Sequence, residues 1–319
     1  MKLKRAKDVF ILDYFTEKKR ARKTLTAYEA DLQQFCEFAG ASNPITVITK
    51  QLTSKWLTHL RKQNYSAATL YRKMATLRVF CAYWAKRNEI PESPFWRMNG
   101  LTFANPAKQE PQTIPATDLN KLLAQARRNI KTAETLPLRQ RSEKNLSDRP
   151  SSDTYRSHRD LAVIELLRAT GLRTDELPTL NLNHLSITSG VLAIPVPKKS
   201  QPRRIPILYR SSLNSLAQYL NIRVPLGRNQ ALFLNAAGTP LSIQGVTNIL
   251  RRLCKQAGLK AITPTMFRNT VEHTLLDKGV DLRVVLTYLG KSAIAESPTG
   301  RAISTAHVLQ ELKKVQMSE

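Results

Sequence analysis

The sequence predicts a mainly α-helical chain with a small β-sheet, laid out as an N-terminal helical domain followed by a larger α+β domain. Three observations carry this. Apolar residues recur at three- and four-residue spacing through most of the chain, the period of helices with one buried face. Around 101–115 that period disappears into Asn, Pro, Gln and Thr, the composition of an interdomain linker. Only two short segments, VLAIPV and RRIPIL, alternate in the manner of strands, and they read as a hairpin. With 319 residues the chain has room for about two domains of roughly 150 residues, each able to bury its own core. They are expected at 1–100 and 116–319.

Residues 8 to 96 read as helical throughout. Leu25, Tyr28, Leu32, Phe35 and Cys36 form one stripe, which opens at Thr24 or at Thr26, the latter with Glu29 three residues on, and stops at Gly40. A second helix starts at Thr53 or Ser54 and carries Trp56, Leu57 and Leu60. A third starts at Ser66, carries Leu70, Met74, Leu77, Cys81 and Trp84, and is ended by Pro91 and Pro94. Their solvent faces hold Lys55, Arg61, Lys62, Arg72, Lys73, Arg78, Lys86 and Arg87, so this is a basic helical bundle. In the second domain a helix runs from a cap at Thr117 through Leu119, Leu122 and Leu123. A polar, basic stretch then reads as an exposed insertion over about 127–157. The helix RDLAVIELLRATG, the hairpin and further helices follow, the last over about 302–316 with Ile303, Val308, Leu312 and Val315 at helical spacing. That last apolar face fits either its own domain or a neighbouring protomer.

Composition narrows the function classes. Fifty Lys plus Arg against 24 Asp plus Glu leave +26 at pH 7, an excess that calls for a polyanionic partner. Apolar content of 42% with 11 glycines excludes wholesale disorder and collagen-like or low-complexity architectures. No run approaches the ~18 apolar residues of a membrane span, and MKLKRAKDVFILDYF has too short an apolar stretch for a signal peptide, so the expected address is the cytoplasm, on the nucleoid. Cys36, Cys81 and Cys254 are odd in number, far apart and set in apolar patterns, and read as buried thiols. No metal constellation is visible, and no cofactor is expected.

Three strings carry the chemistry. In RDLAVIELLRATGLRTDELPTLNLNHL, residues 159 to 185, an apolar helix ends at Gly171 and Arg173 follows at once. Glycine permits the left-handed cap, so the next side chains leave at a fixed turn. Alone this is equally a helix-turn element with a surface arginine. It is followed by PKKSQPRRIPI, residues 197 to 207, and by TPTMFRNTVEHTLLDKGVDLRVVLTYLGKSAI, residues 263 to 294.

In that order the strings resemble the first arginine box, the lysine hairpin, and the H-x-x-R and L-G-H motifs of the tyrosine recombinase or phage integrase family, of Xer type. The basic bundle, with KTLTAYEADLQQFCEF and SAATLYRKMATLRVFCAYW, resembles the family's core-binding, SAM-like domain. The resemblance spans nearly the whole chain except the insertion. It implies a C-shaped two-domain clamp on double-stranded DNA and a role in recombination or integration of a mobile element. It further implies action alone or beside an active recombinase or transposase, and homo-oligomers on DNA coupled through the C-terminal helix. By resemblance Arg173 and Arg268 hold the scissile phosphate, a task suited to planar, permanently charged guanidinium forks, and Lys198 protonates the leaving oxygen. Lys199, Arg203 and Arg204 on the hairpin, and Lys55, Lys62, Arg72, Lys73 and Arg78 on the bundle, are expected DNA contacts.

The departures are as informative as the matches. Thr265 stands where the family has His, Lys291 where it has His or Trp, and Gly300 where its nucleophilic tyrosine falls; no tyrosine occurs after Tyr288. The family's tyrosine stores the broken bond as a 3′-phosphotyrosyl ester, and glycine has no side chain with which to form one. Ser297, Thr299 and Ser304 are aliphatic hydroxyls without an evident base and read as cap and turn residues. Tyr288 reads as core, and His158, His273 and His307 as surface or packing residues. Lys291 has two readings, a substituted donor or a plain phosphate contact. Glu176 and Asp175 are candidate ion-pair partners of the arginines. The expectation is a DNA-binding protein that has lost strand cleavage. The alternatives are an active recombinase whose nucleophile is displaced or supplied in trans, and an RNA-binding or architectural scaffold.

Overall fold

Each helix of the N-terminal region is set by an apolar stripe and, where a cap is visible, by a short hydroxyl side chain. In a computed structural model of the chain, residues 1–18, 22–95, 110–135, 152–195, 202–223, 229–291 and 305–314 are described. Four helices come first: α1 (Leu3–Lys18), α2 (Arg22–Ala39), α3 (Lys50–Lys62) and α4 (Ala67–Ala85). Thr49 caps α3 by accepting from the Leu52 amide, and Ser66 caps α4 by accepting from the Thr69 amide. The start of α3 at Lys50 precedes the expected Thr53 because Thr53 is fully buried and its hydroxyl bonds the Lys50 carbonyl, leaving the cap to Thr49. Phe10, Leu32, Phe35, Trp56, Leu60, Met74, Leu77 and Phe80 fill the core between these helices.

The chain divides into two units, Met1–Glu110 and Pro111–Glu319. The second opens with Ile114, buried, whose amide donates to Thr270 Oγ1 at 2.8 Å, so the end of the expected linker is docked on the unit that follows. Then come α5 (Ala116–Thr135), α6 (Ser152–Thr170), a three-stranded antiparallel sheet and α7 (Arg210–Arg223). The helices α8 (Ile243–Gln256), α9 (Pro264–Asp277), α10 (Leu282–Leu289) and α11 (Thr305–Lys314) complete it. The expected hairpin is the outer part of the sheet: β2 (Val191–Ile194) pairs with β3 (Arg203–Pro206), Leu192 opposite Ile205, while β1 (Leu185–Ser186) adds on the other edge of β2. Helix α6 is apolar on nearly every side from Leu161 to Ala169, which makes it the central helix of this unit, packed by α5, α7, α8 and α9.

The expected insertion over about 127–157 is corrected at both ends. α5 continues to Thr135 because Leu122, Leu123, Ala126, Ile130 and Ala133 keep the helical stripe running beneath its basic residues, and α6 already starts at Ser152, with Tyr155 buried. The remainder, 136–151, lies outside the described residues. α11 lies on β3 and α10 with Val308 and Leu312 buried, so its apolar face is occupied within its own chain.

Candidate active site

The first arginine is placed by a glycine. Gly171 ends α6 at φ +57°, and a Cβ there would stand 2.9 Å from the Leu289 side chain and 3.3 Å from Val271. The chain can turn this close to α9 and to the end of α10 only without a side chain. Arg173 follows, half-buried, and Glu176 folds back so that its Oε2 accepts from the Arg173 amide at 2.8 Å. The second arginine sits in α9, which Thr263 caps by accepting from the Met266 amide and Pro264 starts at its first position. Arg268 is buried one turn into that helix.

The last turn of α10 organises the site. A helix C-terminus leaves its final carbonyls without intrahelical donors and carries partial negative charge, so it draws cations. Here three consecutive carbonyls each take one arginine. Tyr288 O accepts from Arg203 Nε at 3.0 Å, Leu289 O accepts from Arg268 Nη2, and Gly290 O accepts from Arg173 Nη2. Arg268 Nη1 also donates to Gly171 O at 3.0 Å, tying α9 to the turn after α6. Gly290 closes α10 in the left-handed conformation at φ +64°. Lys291 follows and pairs with Glu272, one turn beyond Arg268 on α9.

The charges shape one another. Burial, and then the like charge of Arg173, lower the Arg268 guanidinium to about 10, with Glu176 and Glu272 opposing; it stays protonated at neutral pH. Burial alone would raise the Glu176 carboxyl, but the hydrogen bond and charge of Arg203, the Arg173 amide and Arg268 outweigh it and hold the group below its ordinary 4.5.

Two expected DNA contacts are corrected. Arg203 is buried, and its fork is spent on Glu176, Nη1 to Oε1 at 2.7 Å and Nη2 to Oε2 at 2.9 Å. Alternation along β3 turns Arg203 inward and leaves Arg204 exposed. Lys73 is likewise buried, its Nζ 3.0 Å from Asp31 Oδ1 and 2.6 Å from Gln34 Oε1, since position 73 of α4 faces α2. Arg72 reaches the same Asp31 from the surface. Lys55, Lys62 and Arg78 are exposed, and so is Thr265 in the first turn of α9. Lys198, Lys199 and Gly300 lie outside the described residues, as do Ser297, Thr299 and Ser304. Tyr288 is core, its hydroxyl donating to Ala169 O at 2.7 Å. Sequence reasoning missed Glu272 altogether, and it offered Glu176 to Arg173 and Arg268, whereas the carboxylate forks Arg203 and takes only the amide of Arg173. The three cysteines are free and buried, no group among the described residues could hold a metal ion, and no described helix is long and apolar enough to cross a membrane.

An arginine pair held on a helix terminus, downstream of a separate basic helical unit, defines a class of protein that the comparisons identify. Residues 138–297 match the phage integrase family and residues 8–88 match the phage integrase N-terminal SAM-like domain. The chain belongs to the phage integrase family of tyrosine recombinases. It is 28% identical to tyrosine recombinase XerC of Roseiflexus sp. strain RS-1, over 96% of this chain and 91% of that protein. It is 30% identical to a tyrosine recombinase of Agathobacter rectalis, over 89% of this chain and 87% of the relative. Among solved structures, the Tn1549 transposon integrase in complex with circular intermediate DNA shares the fold at TM-score 0.70 and 15% identity, covering 95% of this chain and 96% of that one. A lambda integrase dimer bound to a core site does so at 0.67 and 18%, covering 93% and 98%.

Proposed function

We propose that this chain binds duplex DNA in the manner of a tyrosine recombinase and has given up strand cleavage. The observation that carries this is the state of its tyrosines. Gly300 stands at the position of the family's nucleophile, and the four tyrosines of the second unit are engaged elsewhere. Tyr155 and Tyr219 share a hydrogen bond at 3.1 Å in the core, Tyr288 donates to Ala169 O, and Tyr209 is half-buried with the Arg168 guanidinium 3.8 Å over its ring. A nucleophile for in-line attack needs a free oxygen at the phosphate. The hydroxyls of Tyr155, Tyr219 and Tyr288 are spent inside the core, and Arg168 covers the ring of Tyr209.

What remains suits holding DNA. Arg173, half-buried, presents its guanidinium to a phosphate, with Arg268 behind it adding charge and the hydrogens that Gly171 O and Leu289 O leave unused; Lys198 and Lys291 are further cations, and Lys55, Lys62, Arg72, Arg78 and Arg204 supply the backbone contacts that position a duplex without reading it. The DNA-bound states of the Tn1549 and lambda integrases support duplex DNA as the ligand. The setting is a mobile element, with the protein acting alone or beside an active recombinase or transposase that performs the cleavage. The retained Arg173, Lys198 and Arg268 favour one further reading: a site that still cleaves, with a nucleophile that is displaced in the chain or supplied in trans by another recombinase.

Competition tests the ligand. A labelled duplex bound to the protein should be displaced by unlabelled duplex at lower concentration than by RNA of the same length. RNA competing better would make this an RNA-binding scaffold and overturn the proposal.

A further inference from the structure

We propose that Arg203 is a positioning residue of the phosphate site, fixing Arg173 and the last turn of α10 through buried contacts while never touching DNA itself; the inference rests on reading Arg173 as a phosphate ligand. Its partners single it out. Glu176, which Arg203 holds with both ends of its fork at 2.7 and 2.9 Å, is the carboxylate that accepts the Arg173 amide. Tyr288 O, which takes the Arg203 Nε, is the first of the three carbonyls whose other two take Arg268 and Arg173. Arg203 therefore grips Glu176, which holds the Arg173 backbone, and the turn whose Gly290 carbonyl holds the Arg173 guanidinium.

The close fit at Gly290 adds a second argument. A Cβ built on Gly290 would stand 2.7 Å from Arg203 Nη1 and 2.9 Å from Cζ, so the turn lies directly against the guanidinium. Any shift of Arg203 releases that turn, and any side chain at 290 displaces Arg203. Lysine could keep the charge but not the geometry, because one ammonium cannot span two carboxylate oxygens and a carbonyl as a planar fork does.

Coupling separates positioning from plain structural support. Glu176→Met and Arg203→Met are made together, since removing one partner of a buried pair strands the other charge. Affinity for a duplex is then measured for this pair variant, for Arg173→Ala, and for the triple variant, with thermal melting confirming that each is folded. Arg173→Ala should weaken binding roughly tenfold, the worth of one hydrogen bond to a charged group, and reduce the salt slope by about 0.9. The pair variant should lose a similar amount, and the triple variant no more than either. Combined with Lys55→Ala, an exposed residue of the first unit, the pair variant should instead give the product of the two losses. A folded pair variant that binds like wild type, or a triple variant whose loss is the product of its parts, overturns the inference alone. If Arg173→Ala binds like wild type, the phosphate reading falls and this inference with it. Should the pair variant fail to fold, Arg203→Lys takes its place: the same loss of Arg173 dependence is expected, and wild-type binding with that dependence intact refutes the role.

Discussion

At residue scale the site is a set of cations held by the end of one helix, and its balance is set by acids that the motifs do not mark. Glu272 is the clearest case. Lys291 follows the end of α10, and Glu272 pairs with it from α9. Glu272→Gln should free Lys291 for a phosphate, tightening duplex binding severalfold and steepening the log-log salt slope by about 0.9; a salt titration by fluorescence anisotropy reads both. An unchanged slope would mean that Lys291 meets no phosphate. Arg173 and Arg268 stand out in sequence by their motifs, and the fold brings both to the end of α10. For Arg203 the alternation with Ile205 and Ile207 carries the inward direction, but its partner Glu176 is 27 positions away and no local pattern names it. Lys73 is hidden by the same distance in sequence: a lysine on a basic helix looks exposed until Asp31, on another helix, is found against it.

Elements were read more reliably, since a helix declares itself through its own period. The caps at Ser66 and Gly40 and the hairpin of β2 and β3 were all visible in local sequence. The length of α5 was not, because Arg127, Arg128 and Lys131 distract from the stripe through Ile130 and Ala133. Two changes probe what the elements contribute to the site. Gly171→Ala puts a methyl against Leu289 at a positive φ and should cost at least about 1 to 2 kcal/mol, lowering the melting temperature and weakening DNA binding together. Thr263→Ala removes only the cap of α9 and should cost about 1 kcal/mol while leaving affinity nearly unchanged. Melting curves beside binding isotherms separate the two.

For the whole molecule, charge dominates. At +26, if the basic faces meet about eight phosphates, log affinity should fall with log salt at a slope of about −7, taking 0.9 per contact; a flat response would remove duplex binding as the function. Stability has its own pH dependence. The folded Glu176 carboxyl lies below its unfolded value of 4.5, so its pairing with Arg203 contributes fully above that value and is lost as pH falls through the folded one. Melting temperature should therefore drop below about pH 4.5 by more in the wild type than in the Glu176→Met, Arg203→Met pair. Occupied on β3 and α10, α11 would have to leave its own domain before it could join two protomers. Sequence alone leaves that choice open, because an apolar stripe does not name the surface that covers it.

A covalent trap separates binding from cleavage. The protein is incubated with nicked suicide duplexes bearing candidate sites from its own genetic neighbourhood, and the products are run on a native gel and on a denaturing one. A shifted band on the native gel with no protein-linked DNA on the denaturing gel is the predicted result. A covalent band, with the attacking residue mapped by mass spectrometry, would show that another hydroxyl does the work of the missing tyrosine and that cleavage is retained.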